Sequence, residues 1–167
     1  MPLAPTTLQN LAATPDRLEA AFRLVPRERW TWTPPSWEGI PGERFAPLGQ
    51  VCHVRDIEIA GYQVRINRML YEDEPALVSL DSYDLAADRH YEDADPEEVL
   101  ASFRDARAAT LRLLDDVTDE QFQRRGTFGE YGPLTLRSLI HYLTSHDQQH
   151  LACLEWLLGQ IHASPLL

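Results

Sequence analysis

HYLTSHDQQHLACLEWLL, residues 141–158, sets three histidines into an apolar stretch, and two of them, His146 and His150, stand four residues apart. Leu136, Leu139, Ile140, Leu143, His146, His150, Cys153, Leu154 and Leu157 form one stripe at helical spacing, which predicts a helix over about 136–159 with Thr135 as its N-cap. An i,i+4 pair puts both imidazoles one above the other on a single face. Such pairs also arise by chance, and a buried histidine bonded to a neighbour is the plain alternative. The position of this pair separates the two readings. It interrupts the middle of an apolar stripe, where an uncompensated polar ring is costly. A shared metal ion would satisfy both rings, and imidazole is a common ligand for borderline ions such as Zn²⁺ or Ni²⁺.

Working outward, three more helical segments supply faces for this one to pack on. Residues 8–25 carry Leu8, Leu11, Leu18, Phe22 and Val25 on a stripe, with Thr14-Pro15 predicting a bend or a fresh start. Residues 48–70 form the second segment, with Leu48, Cys52, Ile59, Tyr62, Ile66 and Met69 on one side and His53, Ile57, Ala60 and Val64 widening it. In DPEEVLASFRDARAATLRLLDDV, Asp95 suits an N-cap, Pro96 the first helical position and Glu98 the third, and the buried side runs through Val99 or Leu100, Phe103, Thr110, Leu114 and Val117. Between these lie an ordered loop over 26–49 holding Trp30, Trp32 and Trp37, expected to seal the end of the bundle, and an acidic crossover over 71–95 with a short helix near 83–89. No strand pattern stands out. The expectation is an all-α chain, one four-helix bundle domain over residues 1–167 with long crossover loops.

Composition narrows the function. Fifteen basic residues against 26 acidic give a net charge of −11, which speaks against nucleic-acid binding and against docking on anionic membranes. No basic-apolar leader and no apolar run of membrane-spanning length is visible, and two cysteines make no disulfide framework, so a cytoplasmic protein with reduced thiols is expected. Ferritin-type di-iron chemistry needs Glu-x-x-His motifs. The residues three before His146, His150, His53 and His141 are Leu143, Asp147, Gln50 and Ser138, so that chemistry is excluded.

A catalytic ion site usually takes three protein ligands and keeps one position open. On patterning, His53, near the start of the second segment, is the best third ligand, ahead of His90, His141 and His162. Several pieces in order carry a resemblance across the chain: PSWEG, QVCHVRDIE, RINRMLYEDEPAL followed by Asp81, FRDAR, and FGEYGPLTLRSLIHYLTSHDQQH. They resemble the DinB/YfiT-like family of metal-binding four-helix bundles. The resemblance implies one divalent ion held by His53, His146 and His150, with Zn or Ni first and Fe or Mn as alternatives. It implies a metal-dependent enzyme that transfers a low-molecular-weight thiol onto a small electrophile. The alternatives are a metal-dependent hydrolase and a non-enzymatic, stress-related metal binder. The partner is then a small molecule and a small thiol cosubstrate, and a closed homodimer suits the long faces of a bundle.

The chain departs from the family pattern ahead of the second helix. Trp37 stands sixteen residues before His53, with GIPGERFAPLG between, which leaves the pocket mouth open to reading. Asp56 and Asp147 are candidates to orient the imidazoles, with a surface position as the alternative for each. Glu58 is too far along to co-ligate. Arg65 and Arg68 are read as a solvated helix face, though they could receive an acidic substrate. Cys52 and Cys153 are read as small buried hydrophobes.

Overall fold

Pro15 sits in the middle of the first helix and does not end it. In the computed structural model, which describes residues 3–164 apart from the side chain at position 130, α1 runs unbroken over Pro5–Arg23. Proline has no N–H, so the carbonyl four residues back, that of Leu11, loses its helical donor. Arg107 takes that place, its Nη1 donating to Leu11 O at 2.9 Å. The domain expected over 1–167 includes residues 1–2 and 165–167, which lie outside the described residues.

The second rod begins as α2 (Pro47–Asp56), opens into a π turn (Ile57–Tyr62) and continues as α3 (Gln63–Tyr71). A regular helix over this whole span was the simpler expectation, and the wide turn re-phases its face. Ile59 and Val64, on the buried side in a regular 3.6-residue period, are 37% and 49% exposed, while Glu58 and Arg65 turn inward. Further along, α4 (Ser82–Asp88) is capped by Asp81, whose carboxylate accepts from the N–H groups of Tyr83 and Asp84. The start of α5 (Pro96–Asp115) follows its sequence signal, with the Asp95 carboxylate accepting from Glu97 and Glu98. At the head of α6 (Leu136–Ala163), Thr135 Oγ1 accepts from the Ser138 N–H.

A small sheet, not anticipated, decorates the bundle. β1 (Ala76–Leu77) pairs parallel with β2 (Arg125–Phe128), and β2 pairs antiparallel with β3 (Gly132–Thr135). Strands of two and four residues are too short to stand out in the sequence, although β2 buries alternate residues, Gly126 and Phe128. Gly126 lets β2 lie on α3, because a Cβ there would stand 2.5 Å from Met69 Sδ.

In the bundle, α1 and α2 each pack chiefly against both α5 and α6. The first two rods are therefore diagonal to each other, and the order is not a plain up-down-up-down one; the long connections over 24–46 and 72–95 allow it. The adjacency that matters is α2 against α6. Two apolar clusters fill the interior, one around Phe22, Val51, Phe103 and Leu154, the other around Leu11, Ile66, Leu114 and Leu139. Between them, at the level of His53, Glu58, Arg107, Asp147 and His150, the core is polar yet buried. Among the described residues, no helix is long and apolar enough to cross a membrane.

Candidate metal centre

The meeting of α2 and α6 brings three imidazoles to one point. His53 Nε2 lies 3.2 Å from His146 Nε2, and His150 Nε2 lies 3.1 Å from the same atom. One ring nitrogen from each residue falls within 4.8 Å of the other two. In a tetrahedral site with metal–nitrogen bonds of about 2.0–2.1 Å, ligand nitrogens stand roughly 3.3 Å apart. The spacing therefore suits one small divalent ion.

Electrostatics point the same way. Loss of hydration pushes His53 down to about 4 and His146 down to about 3, the latter helped by the neighbouring His53. His150 is pushed well below the ordinary imidazole range by burial and then by the other two rings. Additional protons thus do not hold these nitrogens together near neutral pH, which leaves their lone pairs free for a cation. Gln50, one turn before His53, fixes the tautomer of His150. Its Oε1 accepts from the Nδ1–H of His150 at 2.6 Å, which aims the Nε2 lone pair at the centre. Gln50 is itself anchored, its amide donating to Glu43 O and Phe45 O, both at 3.0 Å, and to Cys153 Sγ at 3.2 Å. The cluster is a histidine site able to coordinate a divalent metal ion.

The centre forms one wall of a cleft of about 150 Å³, lined by Glu43, His53, Tyr62, Arg65 and His146 among others. A larger hollow of about 460 Å³ lies elsewhere, beside Arg44, Phe45, His90 and Tyr91, and it includes none of the three converging rings. Size and chemistry disagree, and the converging rings make the smaller cleft the candidate site.

Residues 10–154 match the family model of the DinB superfamily. The chain belongs to the DinB superfamily. Its fold is shared with YfiT from Bacillus subtilis, "a probable metal-dependent hydrolase with an unusual four-helix bundle topology": the TM-score is 0.82 at 21% identity, covering 94% of this chain and 86% of that one. A search of curated proteins finds no match.

Several neighbours of the centre in this DinB-superfamily chain differ from the sequence reading. Glu43 was not singled out, yet its carboxylate straddles the His53–His150 edge, with Oε1 and Oε2 each 3.6 Å from a ring Nε2. The available signal was an acid in GIPGERFAPLG, the stretch where the chain leaves the family pattern. Gly42, at φ +105, lets that loop lie on α6; a Cβ there would stand 2.8 Å from Gln149 Nε2.

Asp56 and Asp147, expected to orient a ring or face solvent, are both fully buried and both engaged by arginines. Asp147 accepts from Arg107 Nη1 at 2.6 Å and Nη2 at 3.0 Å, while Glu58 takes Arg107 Nε at 2.9 Å and Nη2 at 3.0 Å. Asp147 lies about 100° around the helix from His146, which turns it to Arg107 on α5. Asp56 accepts from Arg55 Nε and from Arg89 Nη1, each at 2.7 Å.

Arg68 pairs with Glu72 on the surface, as a solvated helix face requires. Arg65 does not belong to that face: it is 5% exposed and lines the cleft. Burial pushes the thiols of Cys52 and Cys153 up to about 12 and about 11, so both stay protonated, as small buried hydrophobes do. Trp30 packs on Phe22 at 5.5 Å between ring centroids and Trp37 stacks on Trp156 at 5.7 Å, both away from the cleft lining.

Proposed function

We propose that His53, His146 and His150 hold one divalent metal ion, and that the protein is a metal-dependent enzyme acting on a small molecule, with hydrolysis as the first reading. The observation that carries this is the convergence of three imidazoles, two of which, His53 and His146, line a cleft. Three protein ligands facing a cleft leave a coordination position open, the arrangement of catalytic rather than structural sites. The all-imidazole donor set suits Zn or Ni first, with Fe or Mn as alternatives.

An ion held by neutral ligands keeps its full charge and would supply Lewis-acid activation of water or a thiol. The chain's own groups do the rest. Gln50 locks the His150 ring. Glu43 stands beside the same ring edge and can accept a hydrogen bond from the attacking nucleophile, which orients it toward the cleft. Tyr62, Phe128, Tyr131 and Tyr142 line the space where substrate would lie and keep part of it dry.

Transfer of a low-molecular-weight thiol, which the family resemblance implies, uses the same ion and cleft with a different nucleophile. Both readings are tested together by incubating metal-loaded protein with small esters, amides and epoxides, with and without small thiols, and weighing the products. Addition of water without any thiol requirement supports hydrolysis. Product formed only with thiol, and carrying its sulfur, replaces hydrolysis by thiol transfer. Turnover equal in the parent and in His146→Ala contradicts both.

A further inference from the structure

The cleft beside the histidines contains a buried cation to which the described residues offer no carboxylate partner. Arg65 spends Nε and Nη2 on one acceptor, Val78 O, at 3.1 and 3.0 Å. Its Nη1 has no hydrogen-bond partner, and no carboxylate pairs with the guanidinium, among the described residues. Burial pushes its pKa down. Arg107, more deeply buried still, shows what a structural arginine looks like in this protein, because it carries two carboxylates, Glu58 and Asp147.

An unpaired charge taken out of water is costly, and the faces of Tyr62 and Phe128, 5.3 and 4.5 Å from the guanidinium carbon, offset only part of that. The backbone makes room for this group. Any side chain at Gly61 would meet Arg65 Nη1 at 2.8 Å. The chain as a whole carries −11, so its general field repels anions, and a local cation is needed to bring one to the histidines.

We propose that the substrate of this cleft is a small organic oxyanion. Its carboxylate or phosphate is received by Arg65, its apolar body lies among Tyr62, Phe128, Tyr131 and Tyr142, and its reacting bond faces the three histidines. This rests on the reading of the cleft as the substrate site.

The test is a calorimetric titration of the full-length protein as purified, with its metal content measured. The ligands are benzoate, its neutral isostere benzamide, and inorganic phosphate. The variants are Arg65→Met and Arg65→Lys. The parent is expected to bind benzoate, phosphate or both about tenfold or more tighter than benzamide, the ratio one charge-assisted hydrogen bond supports. Whichever anion binds identifies the group. Arg65→Met is expected to lose that preference and Arg65→Lys to keep part of it, at unchanged metal content, which separates Arg65 from direct ligation of the ion.

If Arg65→Met does not fold, the parent stripped by chelation decides, since no ion is then present to take the carboxylate. A parent that binds neither anion better than benzamide overturns the proposal. So does an Arg65→Met protein that keeps the parent's preference. Absence of metal from the purified parent would count against the metal reading alone, since the anion preference reads Arg65.

Discussion

His150 shows how much chemistry one neighbour controls. Its ring points at the centre because Gln50 Oε1 holds the opposite nitrogen at 2.6 Å. Gln50→Leu keeps the volume and removes that hold, so metal affinity measured by chelator competition should fall by roughly 10–100-fold. The rings also report their burial through pH. In the folded, metal-free protein burial pushes His53 down to about 4 and His146 down to about 3, against about 6.5 in an unfolded chain. The unfolded state therefore binds more protons between these limits. The stability these neutral rings contribute is fully present above about 6.5 and is lost as pH falls through their folded values, at about 1.4 kcal/mol per pH unit per ring. Denaturant unfolding of the metal-free parent and of a His53→Ala, His146→Ala double variant should diverge in pH slope between pH 6.5 and 4.5, with the parent steeper; equal slopes would contradict it. The i,i+4 pair was visible in the sequence because polar rings in an apolar stripe stand out. Gln50 and Glu43 were not, because a lone amide and a loop acid look the same whether they face water or a centre.

At the scale of elements, the signals that were readable are those written in a few adjacent residues. Asp95-Pro96 starts α5 and Thr135 starts α6 because caps act over a single turn. The π turn at Ile57–Tyr62 left no such mark. With it, Ile59 and Val64 face solvent while Glu58 and Arg65 lie inside. The strands were hidden because they are short, and β1 and β2 are defined by what they lie against. Gly126 is where that contact is closest, with Met69 Sδ and Pro75 O at 2.5 and 2.9 Å from a would-be Cβ. Gly126→Ala should destabilise the protein by roughly 1–3 kcal/mol through overpacking, measured by thermal unfolding, with the metal content unchanged.

Across the whole molecule, one guanidinium ties the bundle together. Arg107 on α5 reaches Leu11 O on α1, Glu58 in the π turn and Asp147 on α6. Pro15 leaves the Leu11 carbonyl without its helical donor, so a residue that reads as a helix breaker frees the acceptor of an interhelical bond. Charged residues are seldom buried, which is why Arg107 and Glu58 were not placed inside from sequence and Asp147 was left between the centre and the surface, although FRDAR was part of the family resemblance. Arg107→Met would leave two carboxylates buried without a partner and should cost roughly 3–5 kcal/mol in urea unfolding. A loss below 1 kcal/mol would mean that the polar layer is more hydrated than the fold indicates. This layer sits level with the histidines and between the two apolar clusters, so it holds α2 and α6 in the register that the centre needs.

That register makes metal content the most direct test. Protein purified without added metal, together with His53→Ala, His146→Ala and His150→Ala, should be analysed for bound metal by mass spectrometry. Close to one divalent ion per chain is expected in the parent, with a large loss in each variant. Parent stoichiometry retained in all three variants would contradict it.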